Sequence, residues 1–125
     1  MEFKETQAIY VQIGDYICEN ILTGKWEPGV RIPSVREMGV NLEVNPNTVM
    51  RTYDFLQNQG VIFNKRGIGY YVSDDAPQKI RVYRKAIFME HDMPQFLKNL
   101  LLLGMSIEDV MAAVKEKGLT SSIKL

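Results

Sequence analysis

The side chains of this sequence best placed to do chemistry are hydrogen-bonding and cationic rather than nucleophilic or metal-ligating. Asn45, Asn47, Thr48 and Arg51 fall close together, and Arg36 follows shortly after Pro33-Ser34. An amide presents a donor and an acceptor side by side, and a guanidinium forks onto two acceptors; such groups read base edges and hold phosphates. Lys65-Arg66 makes a second cationic spot beside Gly67. Against this, the lone histidine, His91, and the lone cysteine, Cys18, offer no metal-ligand spacing, and no Ser/His/Asp or paired-carboxylate arrangement emerges. No catalytic residue, metal or cofactor is expected, and an enzyme is the least favoured reading.

The elements that must position these side chains are announced by cap chemistry. Ser34 with Glu37 three residues later is a capping box, which starts a short helix from Val35 to near Asn41. Asn45 before Pro46 is a second start: an N-cap side chain, with proline where no amide is missed. A short helix, a tight turn and a helix from Pro46 to about Asn58, ended by Gly60, predict a helix-turn-helix. In that motif the second helix enters the major groove by its N-terminal end, here Asn45, Asn47, Thr48 and Arg51. Val49, Tyr53 and Leu56 form its inward stripe. Arg36 gains nothing from the helix dipole, which prefers anions at an N-terminus; a phosphate or guanine edge would supply its partner, and a solvated arginine near Glu37 or Glu43 is the alternative.

Upstream, Ile9, Ile13, Tyr16, Ile17 and Ile21 predict an amphipathic helix over Ala8–Thr23, stopped by Gly24 and preceded by a polar, frayed start. Cys18 reads as a small buried hydrophobe, Trp26 as a core cover, and Gln7 and Gln12 as solvated surface. Pro28-Gly29 predicts a type II turn, and Val30-Arg31-Ile32 an extended piece that Pro33 confines to a sheet edge. Downstream, Val61–Asn64 and Tyr70–Val72 flank the Lys65–Gly69 tip as a β-hairpin, a wing able to carry Lys65 and Arg66 to DNA. Arg66-Gly67-Ile68-Gly69 lacks the third glycine and the following helix of a nucleotide-binding loop.

Ser73–Pro77 marks a boundary, dividing a 6–73 domain from a helical region over 76–118. There a helix runs from Gln78 to about Glu90, Asp92-Met93-Pro94 kinks or restarts it with Asp92 as cap, and it continues to Gly104. Ser106 and Asp109 open a last helix that ends before Gly118, and the tail Leu119–Leu125 is expected to be loose. These helices are too apolar for water and too few for their own core. A second copy is the expected cover, with Ile80, Tyr83, Ile87, Phe96, Leu97, Leu100 and Leu101 in the seam; an intramolecular cap is the alternative.

The bulk numbers fit one ordinary domain with an appendage: 125 residues, 46% hydrophobic, with 15 basic against 15 acidic side chains. Residues 1–73 carry seven basic and eight acidic groups, a net of minus one, so global basicity does not favour a nucleic-acid partner; the placement of Arg36, Arg51, Lys65 and Arg66 does. So few cations predict weak binding by a monomer and therefore a dimer on a palindrome. The rival class is a protein-interaction module that uses the winged surface. No apolar leader region opens the chain and Leu100–Leu103 is too short to span a bilayer, so a cytoplasmic protein without membrane contact is expected.

Several segments occur together in one order: Ile9-Tyr10-Val11-Gln12-Ile13, Gly24 to Pro28-Gly29, Arg31 through Glu37, Val44 through Val49, Arg51-Thr52-Tyr53, Gly60, and Arg66 through Gly69. They resemble the winged helix-turn-helix of GntR-family bacterial transcriptional regulators, over roughly residues 6–73. The resemblance implies DNA contacts from Arg36, from the helix start at Asn45, Asn47 and Thr48, and from the wing at Arg66 and Gly67. With Arg31, Ser34, Arg51 and Lys65 these make the candidate DNA-binding set. Met50 departs from the small or basic residue that relatives often carry there. The short tail, with its Leu-Gly-Met-Ser-Ile-Glu-Asp turn, resembles the YtrA-type subgroup of dimeric repressors. The expected fold is mainly α with a small β-hairpin: a winged helix-turn-helix, then a two- to three-helix dimerisation region with room for a small effector only at the dimer interface.

Overall fold

The computed structural model describes residues 1–4 and 7–119, so the expectation of a loose tail from residue 120 onward lies outside the described residues. The chain divides into a first compact unit over Met1–Arg84 and a second beginning at Lys85.

In the first unit, helix α1 (Ile9–Leu22) turns Ile13, Ile17, Cys18 and Ile21 inward and is followed by Gly24 at φ 80. Pro28 and Gly29 make the expected turn: the Val30 N–H donates to the Glu27 carbonyl at 3.1 Å, and Gly29 takes φ 85. Helix α2 (Val35–Leu42) starts on the Ser34–Glu37 box, and helix α3 (Pro46–Asn58) starts on Asn45. Between them Glu43 takes the left-handed conformation, and the Val44 N–H closes onto the Gly39 carbonyl at 2.8 Å. Gly39 is required here, because a Cβ would lie 2.8 Å from the Val44 carbonyl oxygen. Val49, Tyr53 and Leu56 are all fully buried, each stabilising the fold by roughly 1.5–3 kcal/mol in area terms.

Strands β1 (Ile62–Lys65) and β2 (Gly69–Val72) pair antiparallel, Ile62 opposite Val72 and Lys65 opposite Gly69. On the far side of β2 lies the extended piece before Pro33. The Val72 N–H reaches the Val30 carbonyl at 2.9 Å, the Ile32 N–H reaches the Tyr70 carbonyl at 3.0 Å, and Arg31 bridges Tyr71. Pro33, lacking an amide proton, falls where this outer ladder ends.

Helix α4 (Ala76–Ile87) closes the first unit, which runs to Arg84. Its Ala76 and Ile80 are fully buried in the same cluster as Ile17, Leu56 and Val61. Ile80 is therefore core of its own chain and not a surface for a second copy. Tyr83 is half-buried against that core, its ring edge-on to Phe55 and its hydroxyl 2.9 Å from the Cys18 thiol. Gln12 is likewise no solvated residue. It is buried, and its amide accepts from the Lys4 N–H and donates to the Lys4 and Gln7 carbonyls, each at 2.8 Å, which ties Lys4 and Gln7 to α1.

In the second unit, a π-helical turn over Phe88–Asp92 leads into helix α5 (Met93–Leu103), and helix α6 (Ile107–Glu116) follows. Asp92 is helical and caps nothing. The α-helix starts afresh at Met93, with Pro94 in its first turn, where a missing amide breaks no intrahelical bond. Gly104 in the left-handed region ends α5, and the Ser106–Asp109 capping box opens α6. Among the described residues from Lys85 onward none is buried; Leu100 is half-buried, while Ile87, Phe96, Leu97 and Leu101 are exposed.

Candidate nucleic-acid interface

The helix-turn-helix sets its polar residues by local bonding. The Ser34 hydroxyl accepts the Glu37 N–H at 3.1 Å while Glu37 Oε1 accepts the Ser34 N–H at 3.0 Å. The Ser34 N–H on its oxygen, then the Ser34 side chain and the neighbouring Arg31 charge, hold the exposed Glu37 carboxyl below its ordinary pKa. Arg36, one residue before Glu37, projects from the first turn of α2; it is exposed and makes no ion pair among the described residues. Asn45 Oδ1 accepts the Asn47 N–H at 2.8 Å, which commits the Asn45 oxygen to capping and leaves its amide NH₂ outward. Asn47 and Arg51 are exposed and Thr48 is half-buried.

What aims this end of α3 is buried on its other side. The Tyr53 hydroxyl donates to the Pro33 carbonyl at 2.6 Å, and its ring stands edge-on to Tyr70 at 4.9 Å between centroids. Burial pushes the Tyr53 phenol well above its ordinary range, so it remains a proton donor. Thr52 donates to the Tyr10 carbonyl at 2.8 Å, joining α3 to the first turn of α1.

Two further cations are seated on neighbours. Arg31 lies 3.6 Å from Glu37 and sends Nε toward the Ile68 carbonyl at 3.4 Å, linking the start of α2 to the hairpin tip. Gly69 makes this possible, since a Cβ there would fall 2.7 Å from Arg31 Nε. Lys65 Nζ sits 4.5 Å above the Tyr71 ring and 5.9 Å from that of Phe63, two rings stacked across the strands. Arg66, Gly67 and Ile68 form the exposed tip, with Gly67 at φ 78.

The anticipated residues thus fall on three adjoining features: the start of α2 with the extended piece before it, the first two turns of α3, and the hairpin tip. Arg31 and Ser34 spend part of their capacity inside the protein. Sequence reasoning missed the aromatic seats: Tyr10, whose ring centre lies 3.7 Å from the Arg51 guanidinium carbon, and Phe63 and Tyr71 beside Lys65. The cross-strand register could have placed Phe63 opposite Tyr71, but no local signal joins Tyr10 to Arg51. Among the described residues no three His, Cys, Asp or Glu side chains gather as a metal site, and no helix is long and apolar enough to cross a membrane.

This arrangement has known counterparts. Residues 9–72 match the family described as bacterial regulatory proteins, gntR family. The HTH-type transcriptional repressor YtrA of Bacillus subtilis (strain 168) is 32% identical over 113 residues, covering 90% of this chain and 86% of its own. A solved GntR family transcriptional regulator from Listeria monocytogenes superposes with a TM-score of 0.76 at 35% identity, covering 91% of this chain and 98% of the other. The DNA-binding domain of AraR, solved in complex with an operator, matches 58% of this chain and 86% of its own, with a TM-score of 0.53 and 27% identity.

Proposed function

The chain belongs to the gntR family of bacterial regulatory proteins, and we propose that this DNA-binding transcriptional regulator works as a homodimeric repressor gripping a palindromic operator. The observation that carries this reading is the polar end of α3, where Asn47 and Arg51 are exposed and Thr48 is half-buried beside them, while Val49, Tyr53 and Leu56 fill the core. Asn47 and Thr48 are suited to base edges, and Arg36 to a guanine edge or phosphate. Lys65, Arg66 and the Gly67 backbone serve the wing, on phosphate or in a minor groove. The operator complex of AraR supports the mode of binding, and the kinship with YtrA supports repression.

The dimer is supported by α5, which leaves Phe96, Leu97 and Leu101 in solvent in a unit with no buried residue among those described. Exposed apolar surface of this kind calls for a partner, and an identical copy supplies two recognition helices for two half-sites. A small-molecule effector would sit between the copies. Such a regulator works beside the chromosome, in the cytoplasm.

A second reading, a protein-interaction module, is favoured only by the balanced charge of the chain. Fluorescence anisotropy on DNA upstream of its own operon, at two salt concentrations and with unrelated competitor, separates the two. Tight binding that weakens steeply with salt and survives competitor supports the regulator; no binding at low salt overturns it.

A further inference from the structure

We infer that Tyr10, on α1 and outside the helix-turn-helix, is a positioning residue for DNA binding that holds the Arg51 guanidinium ready for a phosphate or base edge. The inference rests on the DNA-binding reading above. The Arg51 guanidinium carbon lies 3.7 Å from the centre of the Tyr10 ring, well within cation–π range. Stacking uses the flat face of a guanidinium and leaves its N–H donors at the edge free to point outward. Among the described residues Arg51 has no carboxylate partner, so its positive charge is held in place without being neutralised.

The seat is itself fixed to the helix it serves. The Tyr10 carbonyl accepts the hydroxyl of Thr52, the residue next to Arg51, at 2.8 Å. One turn further along α1, the buried Gly14 faces the same residue, where an added Cβ would make an ordinary contact with Thr52 Cγ2 at 3.7 Å. Ring and arginine are thereby held in one frame although 41 positions separate them in the chain. A long side chain that must be ordered on binding costs affinity, and one already ordered does not. Packing alone would explain why Arg51 covers the ring, but it would give Tyr10 no influence on DNA.

The test measures operator affinity against salt, with thermal unfolding, for Tyr10→Leu, Tyr10→Phe, Arg51→Met and the double variant Tyr10→Leu/Arg51→Met. Tyr10→Phe, which keeps the ring, should bind like the parent. Tyr10→Leu should weaken binding about three- to tenfold and flatten the salt dependence, with Tm little changed. The double variant should bind no worse than Arg51→Met alone, because the ring acts only through the arginine. Additive losses, or a normal Tyr10→Leu beside a weakened Arg51→Met, would overturn the inference. If Arg51→Met binds with unchanged affinity and salt slope, Arg51 is no DNA contact; the inference then fails while the regulator reading stands. Failure of the parent to bind any DNA removes both. Tyr10→Met replaces Tyr10→Leu should the latter not fold.

Discussion

Tyr53, on the buried side of α3, donates its hydroxyl to the carbonyl of Pro33, the residue that precedes the capping box of α2, at 2.6 Å. One bond thus fixes the recognition helix against the start of its partner helix, across 20 residues of chain. Removing the donor leaves a half-buried carbonyl unpaired while keeping the ring's packing. Tyr53→Phe should therefore lower stability by about 1 kcal/mol without altering the fold, as read from urea denaturation. A loss well below that value would mean that water replaces the hydroxyl freely.

Gly39 gives a prediction against helix propensity. Alanine is favoured over glycine in a helix by about 1 kcal/mol. The added Cβ, however, would meet the Val44 carbonyl oxygen at 2.8 Å, and that oxygen belongs to the backbone of the tight turn. Overpacking of this sort costs about 1–3 kcal/mol, so Gly39→Ala should be destabilising on balance and should disturb the angle between α2 and α3. Calorimetry that found the variant more stable would show that the turn yields.

Ile80 and Leu101 share an apolar helical pattern and should behave oppositely. Ile80 is fully buried in the first unit, so Ile80→Ala should cost about 2–5 kcal/mol and leave the association state alone. Leu101 is 81% exposed, so Leu101→Glu should scarcely change the stability of the first unit. In sedimentation equilibrium it should give monomers if α5 lies in the dimer seam, and Leu100→Glu should do the same. Dimers that persist in both variants would move the seam elsewhere.

Glu37 sets a dependence on acid. Its carboxyl is held below its ordinary value by the Ser34 bonds and Arg31, so the folded state favours the charged form more than the unfolded chain does. The resulting stabilisation is complete above the unfolded value, 4.5, and is lost as the pH falls through the lower folded value. Stability of the parent should decline on acidification through this window, and Glu37→Gln should show a shallower decline. Parallel pH profiles would exclude the cap as the source.

Arg36 is exposed and free of intrachain ion pairs among the described residues, so its loss should not touch the fold. Arg36→Ala should weaken operator binding by roughly 1–3 kcal/mol, the range for a bidentate contact to guanine. An unchanged affinity in the anisotropy assay would strike Arg36 from the interface.

The local chemistry of this protein was written in its sequence. Capping boxes at Ser34 and Ser106, the Asn45-Pro46 start, the Pro28-Gly29 turn and the hairpin around Gly67 depend on side chains a few positions apart, so short-range bonding decides them. The inward stripe of α3 was legible for the same reason, since a helix repeats its faces at fixed spacing. What the sequence left open is which apolar stripe meets which. Ile80 and Phe96 lie on similar amphipathic patterns, yet Ile80 closes the first core and Phe96 stands in solvent; only the packing of α4 beside α1 and α3 separates them. The same holds for Arg51 on Tyr10 and for Arg31 between Glu37 and Ile68. These partners lie far apart along the chain or on different elements, and no period or cap encodes them. Their pairing follows from the fit of α1 and the hairpin around the recognition helix, which tertiary structure alone decided.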